Sequence, residues 1–430
     1  MVRIGAKKTT GWKATIAVAM SNYIESGSII AISTSMVFWM QEFGFDSAFQ
    51  GILAALSANA FGAAIGAIIG GPLCDRFGRK FIYTYDLLLY MVGVLIAALA
   101  MNQWMLLVAF IITGIAVGAG VPASWTYIAE EAPSDRRAAH VGTAQLAWSV
   151  GPAIGFLLAA ILAPMELVGS RIIFLHLFVV AAITWWVRRG LEESQNWKRT
   201  NEERRREGAA ALAGRGFKAL LGRRQNVLAL LFLVGVYAFW NTVAGQAGMF
   251  MPDVYRASGL DDAAQQYFLQ AFLWTMTVIG TFVFMALGDR MSRRLLFFIG
   301  AALGIAGWIV LVYLPNGTPT LFGFAILWGF ASGIGAQAFY GLWTAELFAT
   351  QYRASAQGFL FFVARIMVGV LSYGFPVWLE VLGLPTLGGI LIAILAVSLL
   401  VGTIWAPDTQ GKTLEQIEEE RYGRRAPARV

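Results

Sequence analysis

Long apolar runs alternate with short charged turns along nearly the whole chain. Read in windows of about 19 residues, they predict membrane-crossing helices near 14–40, 49–72, 81–101, 104–128, 139–163, 170–189, 226–250, 265–287, 295–314, 320–345, 356–379 and 386–405. Each run has about 20 residues, enough for a helix rising ~1.5 Å per residue to cross the ~30 Å hydrocarbon layer. The longest polar interruption, with "KRTNEERRRE", falls between the sixth and seventh runs. The pattern predicts an all-α membrane protein with 12 transmembrane helices in two pseudo-symmetric six-helix bundles. The expected boundaries are 1–190, a cytoplasmic linker at 191–224, 225–406, and a cytoplasmic tail at 407–430.

Two charged motifs recur across the two halves. "GGPLCDRFGRK" after the second run returns as "ALGDRMSRR" after the eighth, and "EEAPSDRRA" returns as "ELFATQYRA". Asp289 stands 214 positions after Asp75, and Glu346 stands 216 after Glu130. Near-equal offsets in independent motifs predict a duplicated bundle, the arrangement that serves alternating access. Gly71 and Gly78 lack a Cβ and fit a close helix approach and a tight turn. Asp75, Arg76, Arg79, Glu130 and Arg137, with Asp289, Arg290, Arg293, Glu346 and Arg353 from the second copy, are candidates for a cytoplasmic gate. Ion pairs among them would form as the halves close and break as they part.

Composition sharpens the picture. The chain is 58% hydrophobic and 13% charged, against about 25% charged in soluble domains. Of its 32 Lys and Arg, only Arg171 and Arg256 fall in loops on the far side, and Arg365 falls inside a run. Basic loops face the cytoplasm, so both termini are expected there, in a cell membrane. These loops account for the net charge of +7, and no nucleic-acid partner is expected. Lys7, Lys8 and Lys13 precede an apolar run too long for a cleaved leader, so that run is expected to be a spanning helix. A lone cysteine, Cys74, excludes an internal disulfide, and two histidines with it make no metal cluster. No G-x-x-x-x-G-K-[ST] loop is present, so nucleotide drive is not expected. No cofactor and no enzymatic grouping are expected either.

The motifs resemble those of the major facilitator superfamily. "GGPLCDRFGRK" is similar to its loop signature. "YIAEEAPSDRR", "LEESQNW" and "PDTQGKTLEQI" resemble the signatures of its sugar porter branch after spans four, six and twelve. The resemblance implies a secondary transporter of a small hydrophilic solute, of sugar or polyol class, working by alternating access and proton symport. The expected partners are that solute, protons and the lipid bilayer, and the chain is expected to be monomeric. Three rivals keep the same residues: an organic-acid symporter, an uncoupled facilitator, and a sensor that binds solute without moving it.

Polar residues inside spans are costly and mark function. Glu25 stands where the branch carries its proton-coupling acid, and a carboxyl held away from water can load and release a proton when access alternates. The branch often pairs that acid with an Arg in span four, where the alignment puts Phe110. Gln145 matches the branch's sugar-binding Gln of span five, and Trp148 follows it by one turn. An amide and an indole suit a polyhydroxylated ring. The second half departs from the branch, with Phe239 and Trp240 in place of a Gln pair and Gly341 in place of a Trp. Asn22, Trp240, Asn241, Gln246, Gln337, Tyr340 and Arg365 complete the candidate solute site. It is expected to lie in a hollow bordered by the first, fifth, seventh and tenth helices.

Overall fold

The structure is a computed structural model that describes residues 12–131, 136–188, 193, 197–198, 202, 220–349 and 352–423, apart from the side chains of 12–14, 75 and 129–131. The expected linker at 191–224 therefore lies largely outside the described residues.

Apolar runs become helices because only a helix satisfies every backbone N–H and C=O within one segment in hydrocarbon. Span 1 is Trp12–Phe43, span 3 Arg79–Ala98, span 4 Gln103–Glu131, span 5 Arg137–Leu162 and span 6 Glu166–Arg188. Span 2 is built from Ser47–Leu56 and Phe61–Phe77. In the second half, span 7 comprises Arg224–Leu233, a π turn at Val234–Ala238, and Phe239–Met249. Span 8 is Ala263–Leu287 and span 9 Arg293–Tyr313, while span 10 is Thr318–Ile334 followed by Ala336–Leu347. The stretch Arg353–Ile404 crosses twice, as spans 11 and 12, because Gly383 turns the chain at φ 72° just before Pro385. The twelve predicted crossings are thus all present among the described residues.

The molecule is apolar outside and polar within. Val108, Ile161 and Val381 point outward at 50%, 67% and 75% exposure, while Asn22, Asn59, Gln145 and Gln270 are buried. Water would penalise that outer surface, and a lipid bilayer does not.

The two halves meet chiefly through spans 5 and 8 and spans 2 and 11. Each half lends its second and fifth helices, so the two seams are exchanged by the pseudo-twofold axis that the repeated motifs predict. Small residues let the 2–11 seam close backbone to backbone. A Cβ on Gly358 would stand 2.7 Å from the Ala67 carbonyl oxygen, and one on Gly71 would stand 3.0 Å from that of Ala354. Gly78 takes φ 97°, which a side chain resists, and so turns the chain from span 2 into span 3. The Glu193 carboxylate accepts from the Arg79 and Lys80 backbone N–H groups there, at 2.9 and 3.0 Å, capping the positive end of span 3.

Candidate functional site

Span 1 can carry a polar face through the membrane because its hydroxyls bond back to its own carbonyls. Ser26 donates to the Asn22 oxygen at 3.0 Å, Ser28 to Ile24 at 2.7 Å, and Thr34 to Ile30 at 2.9 Å. Glu25 has no such local partner. Its Oε2 accepts from Trp148 Nε1 of span 5 at 2.9 Å, and its Oε1 pairs with Arg365 Nη2 of span 11. Arg365 also donates through Nη1 to the Asn59 carbonyl of span 2 at 2.9 Å and lies 4.5 Å from the Phe361 ring centroid. Both ions are almost wholly buried. The acid of one half is thus neutralised by a cation of the other.

Phe110 does not stand opposite this carboxyl. It packs on Trp39 and Phe174, at 5.6 and 6.4 Å between centroids. Trp39 is fourteen residues beyond Glu25 on the same helix, or about 21 Å of rise. At the level of Asn22, span 4 offers Ser124, which accepts from Asn22 Nδ2 at 3.0 Å.

Arg365 Nε has no hydrogen-bond partner among the described residues, and neither do polar atoms one helical turn from the residues that make or approach the pair: Asn22 Oδ1 from Glu25, Gln145 Oε1 from Trp148, Asn241 Oδ1 from Tyr237 and Gln337 Oε1 from Tyr340. Native interiors leave few such atoms, and each one needs a reason. Gln246, by contrast, is bonded to Val368 and Ser372 within its own half. Tyr340 stacks on Tyr237 at 3.9 Å, and Trp240 lies flat between Tyr237 and Trp328. Tyr237 belongs to the π turn of span 7, and such turns gather at functional sites. Two residues outside the sequence expectation join this group. Gln270 of span 8 is buried with both amide atoms unpartnered, and Trp274 Nε1 is likewise unpartnered. The Trp274 ring lies 5.2 Å from that of Trp148. The signal was available: Gln266, Gln270 and Trp274 recur every four residues, on one helical face.

Above this cluster opens a vestibule of about 580 Å³, lined among others by Ser33, Met36, Gln50, Asp253, Tyr267 and Glu380. It borders spans 1, 2, 8 and 11 and the short helix Met251–Ala257 after span 7, rather than spans 5, 7 and 10 as expected. The reason lies in its floor. Ser33 donates to the Met249 carbonyl at 2.6 Å, and Tyr267 donates to that of Thr34 at 2.8 Å, each bond joining opposite halves. These bonds separate the vestibule from the polar cluster on spans 1, 5, 7, 8 and 10. At the rim, Ser47 donates to Glu380 at 2.7 Å and Gln50 to Asp253 at 3.0 Å, again across the halves.

The opposite end is also shut. Arg137 Nη1 donates to Glu346 Oε1 at 2.9 Å, and Arg293 Nη1 donates to Oε2 of the same carboxylate at 2.6 Å. Asp289 accepts from the Ala138 backbone N–H at 3.1 Å, placing a second-half carboxylate on the N-terminus of span 5. Burial raises the pKa of Asp289, against the opposing pull of Ala138 N–H and Arg293. Arg353 is buried and donates to the Phe348 carbonyl at 3.2 Å. Arg79 is buried beneath the Gly78 turn, whereas Arg76 and Arg290 stay at the surface. The side chains of Asp75 and Glu130 lie outside the described residues. The tail joins in: Arg293 reaches Thr409 at 2.8 Å and Arg137 the Lys412 carbonyl at 3.4 Å.

A polar centre sealed from both ends, between two pseudo-symmetric bundles with a lipid-facing exterior, defines a membrane transporter of small solutes rather than an enzyme. The chain belongs to the Major Facilitator Superfamily, whose family profile matches residues 14–372. It is 41% identical over 414 residues to the minor myo-inositol transporter IolF of Bacillus subtilis (strain 168), covering 96% of this chain and 94% of that protein. It is 25% identical to the cis,cis-muconate transport protein of Acinetobacter baylyi, covering 83% and 84%. Among solved structures, the proton:xylose symporter XylE of E. coli bound to 6-bromo-6-deoxy-D-glucose superposes with a TM-score of 0.77 at 17% identity, covering 95% of this chain and 99% of that one.

Proposed function

We propose that this chain is a proton symporter of an uncharged polyhydroxylated ring, a cyclic polyol or a sugar, with Glu25 as the proton carrier. The observation that carries the reading is the buried Glu25–Arg365–Trp148 group set among unpartnered amides and an indole. Hydroxyls both donate and accept, so they can answer Asn22 Oδ1, Gln145 Oε1, Asn241 Oδ1 and Gln337 Oε1. A carboxylate can accept from Gln270 Nε2 and Trp274 Nε1 but leaves those four oxygens unpaired. Trp148 and Trp274 supply flat faces for the ring's C–H surface. The kinship with a myo-inositol transporter supports the same class.

In this reading the bundles are 1–190 and 225–406, joined by the linker 191–224 and followed by the tail 407–430. Both termini face the cytoplasm, and the molecule works as a monomer in the cell membrane. Arg137, Arg293, Asp289 and Glu346 form the cytoplasmic gate, with Arg79, Arg353, Asp75 and Glu130 beside it.

Uptake into proteoliposomes under an inward proton gradient tests the reading. Labelled myo-inositol should accumulate and alkalinise the outside, and inositols and hexoses should compete where muconate does not. In Glu25→Gln, proton movement should vanish while solute exchange continues. Competition by carboxylates alone would replace the polyol with an organic acid, and proton movement unchanged in Glu25→Gln would remove Glu25 from the carrier role.

A further inference from the structure

The ion pair at the centre joins the two halves, and this has a consequence for which loads can cross. Glu25 rides on span 1 and Arg365 on span 11. Arg365 adds a second cross-half bond to Asn59, whose Nδ2 in turn reaches the Gly245 carbonyl at 3.4 Å and Ser372 Oγ at 3.5 Å. No other charged group faces the pair among the described residues. Tyr237 and Tyr340 approach it from the second half. Elsewhere on span 1, His140 meets Thr15, His176 meets Tyr23, Tyr90 meets Ser28, and Arg188, beside Asp86, bonds the Ala17 and Val18 carbonyls.

The structure is closed at both ends with Glu25 and Arg365 in contact. Closure removes water, and an ion without a counter-ion is then far more costly than a neutral pair. We propose that the Glu25–Arg365 pair is the charge-balancing tie that lets the empty carrier close around its own centre, so that a carrier holding a proton but no solute cannot close. This rests on Glu25 being the proton carrier. Four loading states follow. Empty and deprotonated, the pair is neutral and the halves close. Protonated without solute, Arg365 is stranded, and the centre stays open to water. Protonated with solute, hydroxyl oxygens accept from Arg365 and the halves close again. Deprotonated with solute, the Glu25–Arg365 contact and the solute compete for the same groups. Closure is thus reserved for the two loads that symport requires. Arg365 acts through the charge of Glu25 when the centre is empty and directly on the solute when Glu25 is protonated.

Distances between spin labels test this without any transport. One pair, Met101→Cys with Asn316→Cys, spans the vestibule end, and another, Lys80→Cys with Arg294→Cys, spans the gate end; Cys74 is buried. The unsubstituted centre without solute should show both distances short at alkaline pH. One should lengthen as pH falls, and added myo-inositol should reverse this. In Arg365→Gln the pH response should change sign, closed in acid and open in alkali, because the bare carboxylate is now the stranded ion. Glu25→Gln should be open at every pH until solute is added, the double variant closed at every pH, and Arg365→Lys should keep the original sign. A wild-type sign in Arg365→Gln, or a pH response in Glu25→Gln that survives Asp289→Asn, would overturn the proposal. The carrier reading fails separately, if Glu25→Gln still moves protons with solute.

Discussion

Arg137 of span 5 meets Glu346 of span 10 at 2.9 Å with both side chains buried, an ion pair that joins the two halves. Glu346 is shared with Arg293 of its own half at 2.6 Å. Removing Arg137 therefore weakens the seam without leaving Glu346 unpaired. Arg137→Gln should favour opening at the gate end, read as faster alkylation of a cysteine introduced there. Glu346→Gln leaves the buried Arg137 without a carboxylate and Arg293 with only Asp289, at 3.8 Å, and should cost about 3–5 kcal/mol, seen as a fall in thermal stability as well as lost uptake. Equal stability losses in both variants would contradict this division.

The Asp289 carboxylate should titrate with closure at the gate end. Burial holds its pKa above the ordinary value of 3.8 in the closed form. The closed form therefore binds the proton more tightly, and closure weakens as pH rises from 3.8 towards the raised value. Asp289→Asn should flatten that part of the pH dependence, measured as cysteine accessibility at the gate end from pH 4 upward.

Gln270 and Trp274 should read solute directly. Gln270→Leu removes two unpartnered polar atoms, and each hydrogen bond that they make to solute is worth about 1 kcal/mol, roughly a fivefold rise in apparent KM. Because no bond within the protein is lost, thermal stability should hold or rise. A fall in stability with unchanged KM would make Gln270 a packing residue. Trp274→Phe, which keeps an aromatic face but loses the N–H and part of the ring area, should show the smaller effect of the two.

Glycines on the 2–11 seam should bias the molecule in opposite senses. A side chain at Gly358 meets Ala67 towards the gate end, and one at Gly51 meets the Tyr373 backbone at the vestibule end. Gly358→Val should hold the gate end open and Gly51→Val the vestibule end, each with uptake lost. Cysteine accessibility at the two ends distinguishes them.

Much of this molecule is written in plain sight along the chain. The twelve crossings follow from run length, since a bilayer imposes one length on every helix. The Arg137–Glu346 contact was legible because its charges are repeated: the two residues belong to a motif and its copy, and they meet. The break in span 10 at Gly335 and the π turn at Val234–Ala238 were not legible, because both lie inside apolar runs of uniform hydropathy. The partner of Glu25 was unreadable for a different reason. Arg365 stands 340 positions away, in a helix whose motifs carry no pairing information, and only the meeting of the two halves decides which cation the acid finds. Gln270 shows the opposite failure, a periodic signal present in span 8 but passed over because the family motifs point elsewhere.

Span 1 runs unbroken from Trp12 to Phe43 and holds both Glu25 and Ser33. Eight residues separate them, about 12 Å along one rigid rod. A tilt of that rod against the second half that pulls Ser33 away from the Met249 carbonyl also pulls on the Glu25–Arg365 contact, because both tie span 1 to the other half. The floor of the vestibule and the buried ion pair therefore turn on a single lever, and neither can be worked without disturbing the other.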